Sequence, residues 1–330
     1  MNKHLLAWKL IAESLQQQIP VMLLYVLESS GSSPGRQGFF MVVNVKNEPD
    51  SYRMEGSIGG GIMEHKFVEM AKEQLRVMSS ETAAAELRKQ IHDKSAAKNQ
   101  SGMICSGEQT ILLYPVQKKD EEQILKILSS VEQNKNGTLK LSPNGIEFSE
   151  SIPEENFRFS MRSEQDWEYS EKTGYKNELF IIGGGHCALA FSKLMSGMDF
   201  YIRVYDERKN LKTMLENKSA HEKHFINDYS ELNSIIAEGN SHYAVIMTFG
   251  YRTDDIALRA IINKEFKYLG LLGSKSKIEK MFEDYRREGF EEKRLQRIHA
   301  PIGIPVKSQT PEEIAVSIAA EIIKIKNQAL

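Results

Sequence analysis

The sequence has few cysteines, no excess of charge of either sign and no apolar stretch long enough to cross a membrane. Its 330 residues include only Cys105 and Cys187, too few for a disulfide scaffold and wrongly spaced for a zinc site. Lys and Arg total 43 against 45 Asp and Glu, so neither nucleic acid nor an anionic membrane is an expected partner. The apolar run at residues 19–27 is too short to span a bilayer and follows no basic leader, so we expect a cytoplasmic protein.

The length of the chain exceeds that of one typical domain, and its apolar patterns predict two. In the first, apolar residues at helical spacing over residues 2–18 predict an amphipathic helix, which Pro20 ends. The other elements expected there are strands at 21–27, 39–45 and 110–114, helices at 62–78 and 120–131, and short strands such as 157–161 among the polar and acidic loops of 134–176.

The second half alternates apolar runs with helical patterns, which indicates a mostly parallel sheet covered on both faces. Its last helix is expected to begin at Thr310, with Pro311 in the first turn and Glu313 placed for a capping box. We therefore predict an α/β fold, with a small N-terminal α/β domain at residues 1–170 followed by a Rossmann-like, doubly wound domain at residues 177–330. The expected strands of the second domain are residues 179–182, 200–205, 243–248 and 268–272.

A glycine-rich turn joins the first of these strands to a helix. Gly183 permits a tight turn, Gly185 lets backbone approach a phosphate, and Ala188 lets the helix pack closely on the strand. Asp206 ends the next strand, where such folds place the carboxylate that accepts ribose hydroxyls. The pattern fits equally well a doubly wound domain that keeps the turn but binds no dinucleotide.

Two further glycine motifs lie in the N-terminal half. Residues 28–38 join two strands with serines, glycines and the single cation Arg36, and such a loop can wrap an anion through N–H groups and hydroxyls. Residues 56–61 precede a helix and could do the same at its N-terminus. Each motif alone is more often a tight turn, but two of them so close in sequence favour a functional site.

In this order, the motifs resemble the xanthine dehydrogenase accessory factors, the XdhC/CoxI family, over nearly the entire chain. Members of that family bind molybdenum cofactor and help to install it in molybdenum hydroxylases. The motifs that carry the resemblance are Gly31-Ser32-Ser33-Pro34, Gly56 to Gly61 with Glu64, Cys105-Ser106-Gly107, Gly183 to His186, Gly270 to Ser274 with Lys277, and Ala300 to Gly303 leading to Thr310 to Ala315.

The resemblance implies a homodimeric carrier of molybdenum cofactor, so no catalytic residue and no metal ligand is predicted. The implied partner is a xanthine dehydrogenase-like molybdoenzyme, and a cofactor sulfurase is a second candidate. The family's cysteine falls on Cys105, whose thiolate could lie near the metal or its sulfur; a buried small hydrophobe is an equal alternative. The candidate cofactor-binding residues are Gly31, Ser32, Ser33, Arg36, Gly59, Gly60, Gly61, Glu64, Cys105, Gly183, Gly185, His186, Asp206 and Ser274.

The sequence departs from the family pattern in two places. Gly35 stands where the family commonly has arginine, which shifts the cation to Arg36, and Phe40 replaces a basic residue before the following methionine. These changes predict a weaker N-terminal anion site. After the fourth strand of the Rossmann half, residues 248–251 read Thr-Phe-Gly-Tyr instead of the family's Thr-His-x-His, so no role of those histidines carries over.

Two rival functions remain open from the sequence. The glycine turn with Asp206 also suits an NAD(P)-dependent oxidoreductase, although no pair of residues suited to hydride transfer stands out. A nucleotidyltransferase acting on the cofactor is a third interpretation, which the long N-terminal resemblance disfavours.

Two residues have open roles. His186 could donate to a phosphate or cap the turn, and Ser274 could contact an anion or simply begin a solvated helix.

Overall fold

The structure is a computed structural model that describes residues 3–46, 51–77, 84–91 and 107–328. The chain divides into two compact units, Met1–Gly174 (unit 1) and Tyr175–Leu330 (unit 2). No helix in the described ranges is both long enough and apolar enough to cross a membrane. The elements of unit 1 are α1 (Lys3–Gln16), β1 (Val21–Gly31), β2 (Phe40–Val45), β3 (Tyr52–Gly56), α2 (Gly61–Val77), β4 (Glu86–Ile91), β5 (Gly107–Pro115), α3 (Glu121–Glu132), β6 (Gly137–Ser142), β7 (Gly145–Ser149), β8 (Phe157–Ser163) and β9 (Asp166–Thr173).

Strand β1 is the centre of a five-stranded antiparallel sheet in the order β3-β2-β1-β5-β4. Successive side chains of a strand face opposite sides of the sheet. Leu23 and Tyr25 enter a core shared with α1 and α3, whereas Met22 and Leu24 enter a core shared with α2. Because both faces of the sheet are covered here, residues 21–27 of β1 form an unbroken apolar run in the sequence. The strand predicted there is confirmed, and it continues to Gly31, where the first glycine motif begins.

A second antiparallel sheet, in the order β7-β6-β9-β8, completes unit 1. Trp167 and Tyr169 on β9 add their rings to the core that holds Tyr25. The sequence predicted only short strands among loops here, but four strands fill the region, with tight turns between β6 and β7 and between β8 and β9. The pattern was hard to see because the apolar side chains alternate with polar ones, as Trp167 does with Glu168.

Unit 2 is the predicted Rossmann-like domain, which confirms the α/β fold class. Its six-stranded sheet is parallel throughout, and apolar clusters cover both faces. Its elements are β10 (Asn177–Ile182), α4 (His186–Met195), β11 (Phe200–Asp206), α5 (Lys212–Glu216), β12 (Glu222–Phe225), α6 (Leu232–Ile235), β13 (Gly239–Ile246), α7 (Tyr251–Ile261), β14 (Phe266–Leu271), α8 (Lys275–Arg287), α9 (Glu292–Gln296), β15 (Ile298–His299) and α10 (Pro311–Asn327).

The strand order of this sheet is β12-β11-β10-β13-β14-β15. The chain therefore winds outward from β10 in one direction and then from β13 in the other, which makes the gap between β10 and β13 the topological switch point. Open α/β sheets bind ligands at the carboxyl ends of the strands beside that point.

The last helix has the predicted capping box: the Thr310 hydroxyl accepts from the Glu313 N–H at 3.2 Å, and the Glu313 carboxylate accepts from the Thr310 N–H at 3.3 Å.

Candidate functional site

The two glycine motifs of unit 1 form loops that lie against each other. The first glycine loop, residues 31–38, leads from the end of β1 towards β2, and the second glycine loop, residues 56–61, leads from β3 into α2. A Cβ atom on Gly35 would lie 2.0 Å from the Ile58 carbonyl oxygen, and one on Gly59 would lie 2.4 Å from the Gly35 nitrogen. Only residues without a side chain allow this approach. The loops therefore form one continuous surface.

Three consecutive glycines give the second glycine loop its shape. Gly59, Gly60 and Gly61 have φ angles of +129°, +77° and +68°, a region that residues with side chains rarely adopt. A Cβ atom on Gly60 would meet no other atom within 4 Å, so the backbone is open on that side. The loop thus presents bare backbone to solvent at the N-terminus of the 17-residue helix α2.

A buried glutamine on β5 ties the two loops together. The side-chain amide of Gln109 donates to the Gly35 carbonyl at 3.0 Å and to the Ile58 carbonyl at 3.5 Å. Gly107, which begins β5, also reaches the first glycine loop, because a Cβ atom there would lie 2.5 Å from the Ser33 nitrogen. The end of the Cys-Ser-Gly motif therefore meets the first glycine loop, and Gln109, two residues further on, contacts both. Cys105 itself lies outside the described residues.

Glu64 on α2 organises the second glycine loop from within. Its Oε2 atom accepts from the Ser57 hydroxyl at 2.6 Å, from the Ile58 N–H at 3.0 Å and from the Gly60 N–H at 2.9 Å. The sequence predicted Glu64 as a cofactor-binding residue, and the structure gives it a contact with the loop backbone. The Glu64 carboxylate already accepts from these three donors of the loop. Their hydrogen bonds therefore stabilise the shape of the loop.

We predict that Glu64→Ala lowers the free energy of unfolding by about 1–3 kcal/mol, because two backbone donors lose a charged acceptor. Both tryptophans, Trp8 and Trp167, lie in the core of unit 1, so urea unfolding followed by tryptophan fluorescence measures the effect. Glu73→Ala is the control, since Glu73 is exposed on the same helix. Equal stability of the two variants would show that Glu64 does not hold the loop.

The first glycine loop presents a hydroxyl and a cation beside this backbone. Gly31, Ser32 and Arg36 are exposed, whereas Ser33 is buried and its hydroxyl donates to the Gly35 carbonyl at 3.3 Å. One guanidinium nitrogen of Arg36 donates to the Gly31 carbonyl at 2.7 Å, which folds the side chain back along its own loop. Gly35, which stands at the family's arginine position, is buried against the second loop and has no charge. Arg36 therefore provides the positive charge of this loop. Such a surface can hold an anion.

The glycine turn of unit 2 uses each of its glycines differently. Gly183 has a φ of +104°, and a Cβ atom there would lie 2.4 Å from the Met247 carbonyl, so the turn packs on the segment after β13. A Cβ atom on Gly184 would lie 2.7 Å from the Met214 sulfur. Gly185 is the N-cap of α4 with a φ of −69°, and a Cβ atom on it would meet nothing within 4 Å. Only Gly185 therefore faces open space.

The carboxylate of Asp206 is buried and fully engaged. Its Oδ1 accepts from the Arg208 N–H at 2.8 Å and the Arg208 Nε at 2.9 Å, and its Oδ2 accepts from the Gly184 N–H at 2.7 Å and the Arg208 Nη2 at 2.7 Å. Burial raises the pKa of Asp206, but these hydrogen bonds outweigh burial and hold the pKa below its usual range. A carboxylate offers about four acceptor positions, so contact with a ribose would require Arg208 to move.

A second buried carboxylate lies beyond the switch point. Asp254 on α7 accepts from the Thr248 N–H at 3.0 Å and from the Thr248 hydroxyl at 2.5 Å, and it forms an ion pair with Lys277 on α8. The side chain of Asp254 is 1% exposed. Residues from two successive connections are thereby joined, and Lys277, which belongs to the family motif after β14, is paired within the protein.

The remaining predicted residues of unit 2 have local contacts. His186 is exposed on the first turn of α4. The Ser274 hydroxyl oxygen accepts from the Lys277 N–H at 3.4 Å, which makes Ser274 the N-cap of α8. Cys187 packs at the edge of an apolar cluster, where burial first and the charge of Glu312 second raise the pKa of its thiol. In the part of the chain that the structure describes, no three His, Cys, Asp or Glu side chains form a metal site.

Sequence reasoning missed Gln109 and Arg208. Gln109 is only 1% exposed, but Glu108 and Thr110 beside it on β5 are polar as well, so the local sequence carries no signal for a buried amide. Arg208 stands two residues after the predicted ribose-binding carboxylate, and an arginine at that distance was the available signal for a paired carboxylate.

Comparison with known proteins finds family models that match two separate parts of the chain. The sequence model of the XdhC and CoxI family matches residues 14–84, and that of the XdhC Rossmann domain matches residues 179–322. The uncharacterized protein YqeB of Escherichia coli (strain K12) is 31% identical over 157 residues, which are 47% of this chain and 28% of YqeB. A probable xanthine dehydrogenase subunit of Bacillus subtilis (strain 168) is 28% identical over 85 residues, 26% of this chain and 24% of that protein.

These alignments span about a quarter of the length of either curated relative. A crystal structure from Bacillus halodurans, described as a xanthine dehydrogenase, superposes over 98% of this chain and 97% of its own with a TM-score of 0.69. At 19% identity that likeness shows a shared fold. The two sequence models match units 1 and 2 in order and together cover more than half of the sequence. The chain therefore belongs to the XdhC and CoxI family.

Proposed function

We propose that the chain is a cytoplasmic, homodimeric accessory protein that binds molybdenum cofactor and supports its insertion into a xanthine dehydrogenase-like molybdenum hydroxylase. The observation that carries the proposal is the meeting of both glycine loops and Gly107 on one surface of unit 1. Family membership supports the cofactor, and the description of the Bacillus subtilis relative supports the class of client enzyme. A cofactor sulfurase is a second proposed partner.

The residues of this surface fit a phosphorylated pterin. A phosphate needs donors and room for close approach: the exposed Ser32 hydroxyl and the Arg36 guanidinium offer donors, and the open side of Gly60, whose N–H is held by Glu64, offers room. Arg36 supplies the positive charge of this loop, and the weaker anion site expected from the shift of the arginine to position 36 stays a prediction. The cofactor supplies the redox chemistry once it is in the client, and this chain holds and shields it.

The proposal is tested by equilibrium binding. Molybdenum cofactor released anaerobically from a molybdenum hydroxylase is titrated into the full chain, and NADH is titrated in parallel. We expect tighter binding of the pterin cofactor, and weaker binding by Gly60→Ala, whose added methyl group enters the open side of the loop. Micromolar affinity for NADH with turnover of a simple alcohol or hydroxy acid, and no pterin binding, would favour the alternative oxidoreductase instead.

Cys105→Ala is predicted to lower cofactor retention or transfer while leaving thermal stability unchanged. The proposed role rests on thiolate chemistry near the metal or its sulfur, which alanine cannot perform, and the substitution removes little volume. Cys187→Ala is a matched control, because the structure gives Cys187 a packing role with a raised thiol pKa. The comparison measures cofactor carried per folded protein. A Cys105→Ala variant that melts earlier yet carries cofactor normally would make Cys105 a packing residue.

A further inference from the structure

The carboxyl edge of unit 2 presents a cation where a dinucleotide fold usually presents a carboxylate. The side chain of Asp206 is 0% exposed, whereas that of Arg208 is 36% exposed. Arg208 donates its Nε hydrogen and one Nη2 hydrogen to Asp206. A guanidinium has five N–H donors, so three of them have no acceptor among the described residues. The exposed part of the Arg208 guanidinium therefore offers a ligand donors and no acceptor.

An exposed aromatic ring adjoins this guanidinium. The Cζ atom of Arg208 lies 4.8 Å from the centroid of the Phe249 ring, within the range of a cation–π contact. Phe249 is still 60% exposed, so ring area remains for a second stacking partner. A phenyl ring this open can stack against a second planar group. Phe249 is one of the residues that depart from the family's Thr-His-x-His pattern.

The pair spans the switch point of the sheet. Arg208 follows β11 and Phe249 follows β13, and these two strands flank β10. Their side chains therefore meet beside the turn that follows β10, where Gly185 faces open space. Asp206 fixes the guanidinium from behind with two parallel hydrogen bonds, so the cation is already oriented before any ligand arrives.

We infer that this edge of unit 2 binds a planar heteroaromatic ligand that carries a phosphomonoester, with the phosphate on the Arg208 guanidinium and the ring on Phe249. Arginine offers paired donors that match phosphate oxygens, but no acceptor for the hydroxyls of an unmodified ribose. Two sources share this chemistry: the adenosine 2′-phosphate part of NADP and a phosphorylated pterin. The inference uses residues of unit 2 only and does not depend on the function proposed for unit 1.

Two ligand pairs test the inference by isothermal titration calorimetry on the full chain. NADPH and NADH differ by one phosphomonoester, and so do a monophosphorylated pterin and its dephosphorylated form. We expect the phosphorylated member of at least one pair to bind about 10- to 100-fold more tightly, the effect of a charged hydrogen-bonded contact. A preference within the nucleotide pair identifies a dinucleotide site, and a preference within the pterin pair that is lost in Phe249→Ala identifies a pterin site on unit 2. Equal affinities within both pairs, or no binding up to millimolar concentration, would overturn the inference.

Phe249→Ala tests the aromatic half of the same contact. Loss of a stacking partner is expected to weaken the preferred ligand about tenfold. Val316→Ala is the control, since Val316 is a similarly exposed apolar residue of unit 2, at 56% against 60%. Unchanged affinity in Phe249→Ala, with both variants folded by circular dichroism, would contradict the stacking role. Because these probes contain no molybdenum cofactor, a negative result here leaves the binding test of unit 1 intact.

Discussion

Gly59→Ala is expected to lower the free energy of unfolding of unit 1 by about 3–5 kcal/mol, the sum of a backbone clash and an unfavourable φ angle. The new Cβ atom would lie 2.4 Å from the Gly35 nitrogen and 2.7 Å from the Pro34 carbonyl carbon. Both are backbone atoms, so neither can rotate away. The two glycine loops would have to separate, and cofactor binding should be lost with them.

Gly60→Ala is the matched control for this clash. The neighbouring glycine also has a positive φ, but its Cβ atom would meet nothing within 4 Å. Only the conformational cost remains, and we expect a loss of about 1–2 kcal/mol. Urea unfolding followed by the fluorescence of Trp8 and Trp167 reports on unit 1 in both variants. If the two variants were equally stable, the loops would not be packed as the structure shows.

Asp206→Ala is expected to destabilise unit 2 by about 2–4 kcal/mol, because two backbone N–H groups and a guanidinium lose their acceptor. The lower end of the range allows for Arg208, which is partly exposed and can turn to water. Glu207→Ala, at the next position, should have little effect, since no hydrogen bond of the Glu207 side chain is seen among the described residues. Urea unfolding followed by far-ultraviolet circular dichroism gives the difference.

The stabilising effect of Asp206 should depend on pH in a defined direction. A carboxyl group whose pKa is lowered on folding stabilises the protein fully above its unfolded-state pKa of about 3.9, and this contribution is lost as the pH falls through the lower folded-state value. The difference between the parent and Asp206→Ala should thus be constant near neutrality and shrink in acid. A difference that grows as the pH falls would contradict the hydrogen-bonded, ionised carboxylate.

The sequence was sufficient to predict the four central strands of unit 2, because buried parallel strands are apolar runs separated by helices and Gly183 marks the first turn. The short edge strands β12 and β15 were not predicted. The strand at residues 21–27 was as visible as the four central strands, for the same reason. The sheet that contains β9 was not, since Trp167 and Tyr169 alternate with polar residues and its core partner Tyr25 lies far away in the sequence. Local patterns cannot show which distant strand covers such a face.

The sequence could indicate where the backbone needs glycine, but it could not indicate which groups pair in space. Gly59 to Gly61 were singled out as part of an anion-binding loop at a helix N-terminus, and their φ angles require glycine; anion binding itself stays a prediction. The contact of Gly59 with Gly35, the clamp by Gln109 and the pairing of Asp206 with Arg208 depend on three-dimensional neighbours. Residue types alone indicated an anion site, but they could not show that Glu64 and Asp206 already use several of the donors.

The most direct test of the account is to identify the small molecules released from the chain after gentle anaerobic purification, by mass spectrometry, from the parent and from Gly60→Ala. The account predicts a phosphorylated pterin from the parent and a marked loss of it from the folded variant, because the methyl group would occupy the open side of the second glycine loop. Parent protein that releases no pterin, or two proteins that release equal amounts, would contradict the claim that the glycine loops of unit 1 hold molybdenum cofactor.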